Sequence, residues 1–282
     1  MRTIRSIKTL RRFLRQAKRQ GKTVGFVPTM GFLHTGHCSL LRKCRKENDV
    51  VVLSIFVNPK QFGKNEDFSQ YPRDLKHDEI LAKKENVDIM FHPSEKEMYP
   101  TGHRTEVKVK ELSEMLCGRF RPGHFAGVAT VVAKLINIVA PDGIYLGQKD
   151  AQQAVIIRRM VQDLNFPTMI KVLPTVREKD GLAMSSRNSY LDPTQRSQAP
   201  ILYQALTAAK TAILKGERNP RTVCDMVRSL IRAKTESPID YVACIDAETL
   251  QPLKTIRGTV LIALAVWFGK ARLIDNILVR PS

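Results

Sequence analysis

The chain has 282 residues, 43% of them hydrophobic and 26% charged, with a formal net charge of +19 at pH 7. That length accommodates one large or two ordinary domains with a substantial core, and the composition excludes a disordered or fibrous chain. No apolar run approaches the roughly 18 residues of a membrane span, which argues against a membrane protein.

Five cysteines (38, 44, 117, 224 and 244) form no CxxC pair, and their odd number fits a reducing compartment, with the cytoplasm as the default. The basic residues are spread along the chain without aromatic interleaving. They read as a basic surface, and no nucleic acid partner is expected. The first 22 residues carry nine Lys/Arg and no acid, as an organelle-targeting peptide would. Yet Ile4, Ile7, Leu10, Leu14 and Ala17 fall on one helix face, so the segment is read as a basic surface helix.

An apolar run at 23–27 predicts a buried strand, and residues 38–46 repeat their apolar positions at helical spacing. Between them lies PTMGFLHTGH, a strand-turn-helix corner. Residues 50–57 form a near-continuous apolar run, typical of a parallel strand covered on both faces. After the polar loop at 58–63, the segment from 64 to 73 reads as a long loop, 73–86 as a helix, 87–91 as a third strand and 105–110 as a short edge strand. A helix over 128–139 has almost no polar face and belongs to the core. A short strand at 144–146 delivers GQKD to another loop, and a helix (151–164) and a strand (169–176) complete the alternation. Alternating strands and helices predict a parallel, doubly wound α/β sheet whose polar loops converge on the carboxyl edge of its strands. Beyond it, helices at 192–215 and 220–234 and strands at 239–244, 259–267 and 273–279 predict a smaller α+β C-terminal domain. The expected boundaries are 1–175 and 176–282.

The corner is suited to phosphate. A helix N-terminus offers unpaired N–H groups and a positive dipole, and Gly31 and Gly36 let a ligand approach the backbone. His34 and His37, at i and i+3, share one face of the first turn. Such a pair could be half of a zinc site, but there is no nearby Cys pair or HExxH pattern, and no metal is assigned. Downstream, Met184-Ser185-Ser186-Arg187 places two hydroxyls and a guanidinium in one loop, which suits a triphosphate, although it could also be a plain capping loop. Gln152 and Gln153 lie in a helix where one of them should be a solvated surface residue.

An early HxGH corner and a late Met-Ser-Ser-Arg loop resemble the nucleotidyltransferases. Six pieces in order are more specific: PTMGFLHTGH (28–37), VNPKQF (57–62), YPR (71–73), RPGHFAGV (121–128), GQKDAQQ (147–153) and DGLAMSSRNSY (180–190). Together they resemble the pantoate–β-alanine ligase family. The resemblance implies a Rossmann-like domain with a smaller C-terminal domain covering the site, a homodimer, and ATP with Mg²⁺ as co-substrate. It also implies condensation of pantoate with β-alanine through a pantoyl adenylate.

Carried over residue by residue, the family implies that Met30, Gly31, Phe32, Leu33, His34, Thr35, Gly36 and His37 line the ATP site. The two histidines would sit on the phosphates, with His37 the candidate acid. Gly147, Gln148, Lys149 and Asp150 would hold the nucleotide, Lys149 at the phosphates and Asp150 at the ribose. Val176 would meet adenine through its backbone. Met184, Ser185, Ser186 and Arg187 would close on the triphosphate. Gln61 and Gln153 would bind pantoate, Gln61 also lying near β-alanine, with Asn58 supporting pantoate or the loop. Asp78 is a candidate neighbour of the magnesium. The rival readings are another small-molecule nucleotidyltransferase, which would lack Gln61 and Gln153, and a basic RNA-binding protein on a decayed scaffold. The second would have lost some of His34, His37, Lys149, Ser185 and Arg187, and all five are present.

Overall fold

A computed structural model describes residues 1–64 and 66–281. Contacts divide the chain into two compact units. The first comprises residues 1–114, 121–147 and 156–174, and the second 115–120, 148–155 and 175–282. In chain order the strands and α-helices of the alternating region are β1 (Arg2–Ile4), α1 (Ile7–Arg19), β2 (Val24–Thr29), α2 (Thr35–Glu47), β3 (Val50–Ile55), α3 (Leu75–Lys84), β4 (Ile89–Phe91), α4 (Glu95–Met98), α5 (Cys117–Phe120), α6 (His124–Val139), β5 (Gly143–Gly147), α7 (Ala151–Asp163) and β6 (Met169–Leu173). They are followed by α8 (Pro193–Gln198), α9 (Ile201–Leu214), α10 (Pro220–Lys234), β7 (Ile239–Asp246), β8 (Val260–Phe268) and β9 (Ala271–Val279).

In the first unit six strands form one sheet in the order β1-β4-β3-β2-β5-β6, and every pairing is parallel. Both faces of its central strands are buried, which is why they read as unbroken apolar runs. Val51, Leu53 and Ile55 of β3 pack with Leu40, Leu41 and Cys44 of α2 and Ala82 of α3. Val50, Val52 and Ser54 point the other way and are equally buried. The chain passes β2, β3 and β4 in one direction and then returns to place β5 on the far side of β2. The order of winding therefore reverses between β2 and β5, the place where open α/β sheets bind ligands at the strands' carboxyl ends. The HxGH corner leaves β2 at that end.

The second unit contains an antiparallel sheet, β7-β8-β9, packed against α9 and α10 through Leu202, Leu206, Val223, Val227, Ile262 and Leu264. The described residues thus give a Rossmann-like parallel sheet together with a C-terminal α+β part.

Three details differ from expectation. Residues 105–110 form no strand: the Val107 N–H is satisfied by the Thr130 hydroxyl at 2.9 Å and has no neighbouring strand to pair with. Ile4 belongs to β1, an edge strand pairing with β4, and the helix begins at Ile7 behind a Ser6 cap. The helix expected over 192–215 is two, α8 and α9, because Pro200 has no N–H to continue the first. The segment read as a loop at 64–73, as expected, contains no helix or strand among its described residues; Asn65 lies outside them.

Candidate nucleotide and substrate site

The corner is held by its own backbone and by one carboxylate. Thr29 Oγ1 donates to the Ser54 carbonyl at 2.7 Å and accepts from Gly31 N at 3.2 Å, which starts the turn. Gly31 (φ 84°) and Phe32 (φ 50°) both lie in the left-handed region. A Cβ at Gly31 would come within 2.9 Å of both Asp78 Oδ2 and Ile55 Cγ2, so position and conformation both require glycine. Asp78, on α3 and 1% exposed, accepts from Phe32 N at 2.9 Å through Oδ2 and from Leu33 N at 2.6 Å through Oδ1. Burial pushes its carboxyl above the usual range, while these two N–H groups pull it back.

His34 is the N-cap of α2 and not a residue of its first turn. Its Nδ1 accepts from Gly36 N at 3.1 Å, and His37 Nδ1 accepts from His34 N at 3.3 Å. This is a capping box in which both side chains are imidazoles. The ring centroids are 4.0 Å apart. With Nδ1 accepting in both, the neutral rings carry their protons at Nε2, the tautomer that donates to an anion.

Next to the corner stands a polar shelf after β3. Asn58, 1% exposed, caps the single turn Pro59–Gln61; its amide donates to Gln61 Oε1 and to the Gly127 carbonyl, each at 3.1 Å. Its own oxygen accepts from Tyr99 OH at 2.8 Å and from Lys60 N at 3.3 Å. Gln61 Nε2 points to Met30 Sδ at 3.1 Å, so the shelf and the corner touch. The RPGHFAGV piece explains itself here. His124 Nδ1 lies 2.8 Å from the Gln61 carbonyl, and Arg121 reaches the same carbonyl at 3.4 Å while pairing with Glu66. A Cβ at Gly127 would collide with the Lys60 carbonyl, so α6 can approach this turn only with glycine there. Met30 to His37, Asn58, Gln61 and Asp78 are therefore brought together in the first unit, and Gly147 ends β5 in the same sheet.

The second unit holds Gln148, Lys149, Asp150, Gln153, Val176 and Met184 to Arg187. Lys149 and Ser185 line one cleft with Ala183, Asn188, Leu273 and Asp275. Lys149 Nζ is 3.6 Å from Asp150 Oδ1. The Val176 carbonyl accepts from Met184 N at 3.0 Å, tying the ends of the 176–184 excursion. Ser185 caps the turn Ser186–Tyr190, its hydroxyl accepting from Arg187 N at 3.2 Å, the geometry of a capping loop. Neither Gln152 nor Gln153 is a solvated surface residue. Gln152 is buried, donating to the Met115 carbonyl at 2.7 Å and accepting from Cys117 N at 3.0 Å, and Gln153 is half-buried.

Sequence reasoning left Tyr99, Arg121 and His124 without roles, and saw Asp78 only as a neighbour of metal. The last carried a usable signal. Asp78 and Ala82 are the buried i, i+4 pair of α3, and an acid on a buried stripe needs a partner.

A parallel sheet with a histidine-capped helix N-terminus at its reversal point defines an α/β enzyme that handles nucleotide phosphates. The comparisons narrow that class. The family model described as Pantoate-beta-alanine ligase matches residues 2–278, and the chain belongs to this family of ligases. Pantothenate synthetase of Moorella thermoacetica is 54% identical over 282 residues, covering 100% of both chains. The crystal structure of pantothenate synthetase from Thermus thermophilus superposes with a TM-score of 0.95 at 46% identity, covering 100% of each chain. That of the Francisella tularensis pantoate-beta-alanine ligase, complexed with beta-gamma ATP and beta-alanine, gives a TM-score of 0.82 at 38% identity over 99% of this chain and 97% of that one. Among the described residues no helix is long and apolar enough to cross a membrane.

Proposed function

We propose that the chain condenses pantoate with β-alanine to pantothenate, with ATP cleaved to AMP and pyrophosphate. In the first step a pantoate carboxylate oxygen bonds to the α-phosphorus, the bond to the bridging oxygen breaks, and pyrophosphate leaves. In the second, the free amine of β-alanine bonds to the acyl carbon, the carbon–oxygen bond to AMP breaks, and the nitrogen loses a proton to solvent. Protein groups contribute by positioning and by neutralising charge that develops on phosphate oxygens.

Met30 to His37 line the ATP site, with His34 and His37 donating to phosphates from Nε2. Lys149 and Arg187 counter the charge, aided by Ser185 and Ser186. Gly147, Gln148 and Asp150 hold the nucleoside side, and the Val176 backbone meets adenine. Gln61, Gln153 and Asn58 serve pantoate and β-alanine. Residues 1–175 would bind nucleotide and pantoate, with 176–282 as the lid. A cytoplasmic homodimer belongs to the same reading; the five cysteines, all buried and unpaired, agree with a reducing compartment.

Magnesium enters with ATP as part of the substrate. Among the described residues no group of three or more His, Cys, Asp or Glu is placed to hold a metal, and both Asp78 oxygens are engaged by backbone N–H groups. Phosphate oxygens and water would supply its ligands.

The observation that carries the proposal is the corner itself, where two imidazoles, each fixed at Nδ1 by a backbone N–H, cap the helix at the sheet's reversal point. Purified protein with pantoate, β-alanine and MgATP should release AMP and pyrophosphate in equal amounts, and release of ADP would refute the reading. His37→Ala should lower kcat at least about 10²-fold, the scale of one lost transition-state donor. Near-normal turnover would remove its assigned role.

A further inference from the structure

Besides Arg272 near its start, strand β9 carries two adjacent polar residues, Asp275 and Asn276, which project to opposite faces and are 3% and 4% exposed. Burying an amide or a carboxylate inside a sheet is unfavourable unless every polar atom finds a partner. Both do, and both partners are segments that carry proposed ATP residues. The Asn276 amide nitrogen donates to the Gln148 and Lys149 carbonyls, each at 2.9 Å, using both of its hydrogens. Its oxygen accepts from Gln148 Nε2 at 3.0 Å. Asp275 makes a two-bond pair with Arg177, at 2.6 and 2.9 Å. Arg177 in turn donates to the Gly181 carbonyl at 3.1 Å and stacks on Tyr203 with its guanidinium 3.8 Å from the ring centroid.

Gln148 and Lys149 follow β5 directly, yet they are grouped with the second unit. Asn276 supplies a physical reason. Two hydrogen bonds from one side chain fix the two peptide carbonyls that frame Lys149, and a third holds the Gln148 side chain, so the lysine's backbone is set by the C-terminal strand. Lys149 and Asp275 then line the same cleft as Ser185.

We infer that Asn276 is a positioning residue, one that acts through Lys149 by clamping the 148–149 backbone so that the ammonium meets the phosphates of ATP. It is not catalytic, since its amide is wholly engaged by protein groups. The inference rests on the proposed reaction and on the role given there to Lys149.

The test is a double-mutant cycle on the full-length enzyme, with AMP release as the readout. Asn276→Ala removes all three bonds. Asn276→Asp keeps the shape and the bond from Gln148 but turns an oxygen toward two carbonyls. Each should lower kcat at least about 10-fold, because displacing a reacting group by an ångström costs up to roughly 10²-fold. In a Lys149→Ala background the same changes should alter kcat less than about 2-fold, since residues acting as one unit are not additive. Losses that multiply across the two sites would overturn the inference, as would Asn276 variants with wild-type kcat. A variant that melts below the assay temperature in place of slowing turnover marks Asn276 as merely structural, and also overturns it. If the wild-type protein releases no AMP, the reaction itself is wrong; if it does and Lys149→Ala is harmless, the role of Lys149 is wrong and the inference falls with it.

Discussion

Asp78 shows how much of the site depends on a residue that need never touch substrate. Its two oxygens take the N–H groups of Phe32 and Leu33, and the left-handed conformation of Phe32 persists because that carboxylate holds it. Asp78→Ala would take this acceptor from the buried Leu33 N–H and the part-buried Phe32 N–H, at about 1–3 kcal/mol for a buried donor left unsatisfied. Its melting temperature should fall, and AMP release should fall with it as the corner relaxes. A variant with unchanged melting and turnover would show that the corner holds itself. The sequence made the corner legible through its glycines and its paired histidines, because turns and helix starts are written in neighbouring residues. It did not show that His34 is a cap whose Nδ1 faces the backbone. Nor did it show that the third support comes from Asp78, which lies 45 positions beyond Leu33 and on a different helix.

Among elements, α2 is fastened at both ends. Its N-terminus carries the histidine caps, and near its C-terminus Glu47 accepts from Lys171 Nζ at 2.6 Å, Lys43 Nζ at 2.7 Å and Tyr145 OH at 2.7 Å. The first two carry positive charge, and together the three bonds hold the Glu47 carboxyl down to about 2 from an ordinary value of 4.5. A carboxyl depressed by folding adds stability that is present above the unfolded value and is lost as the pH falls through the folded one. The melting temperature should therefore decline between pH 4.5 and about 2, and Glu47→Gln should flatten that decline. Equal pH slopes for the two proteins would contradict the anchoring role. The strands of the parallel sheet are readable because burial on both faces leaves an unmistakable apolar run. Other elements are hidden by their context. β1 is three residues long and exists through its pairing with β4, and the break between α8 and α9 turns on a single proline. In sequence Gln152 is one of two interchangeable helix residues; in the fold its amide holds Met115 and Cys117.

At the scale of the molecule, the net charge of +19 has no part in the proposed chemistry, and the reading places it on a general basic surface. Lys149 is grouped with the second unit although it follows closely on a strand of the first. No local pattern signals that assignment, since it depends on an amide 127 positions downstream. The family likeness was legible because six short motifs occur in one order along the chain. The central claim is that pantoate is activated by joining its own carboxylate oxygen to the α-phosphorus of ATP. The most direct measurement follows ¹⁸O from carboxyl-labelled pantoate through one turnover with β-alanine, reading AMP by mass spectrometry. The account predicts one labelled oxygen in the phosphate of AMP and none in pyrophosphate. Unlabelled AMP, with the label retained in pantothenate or lost to water, would contradict it.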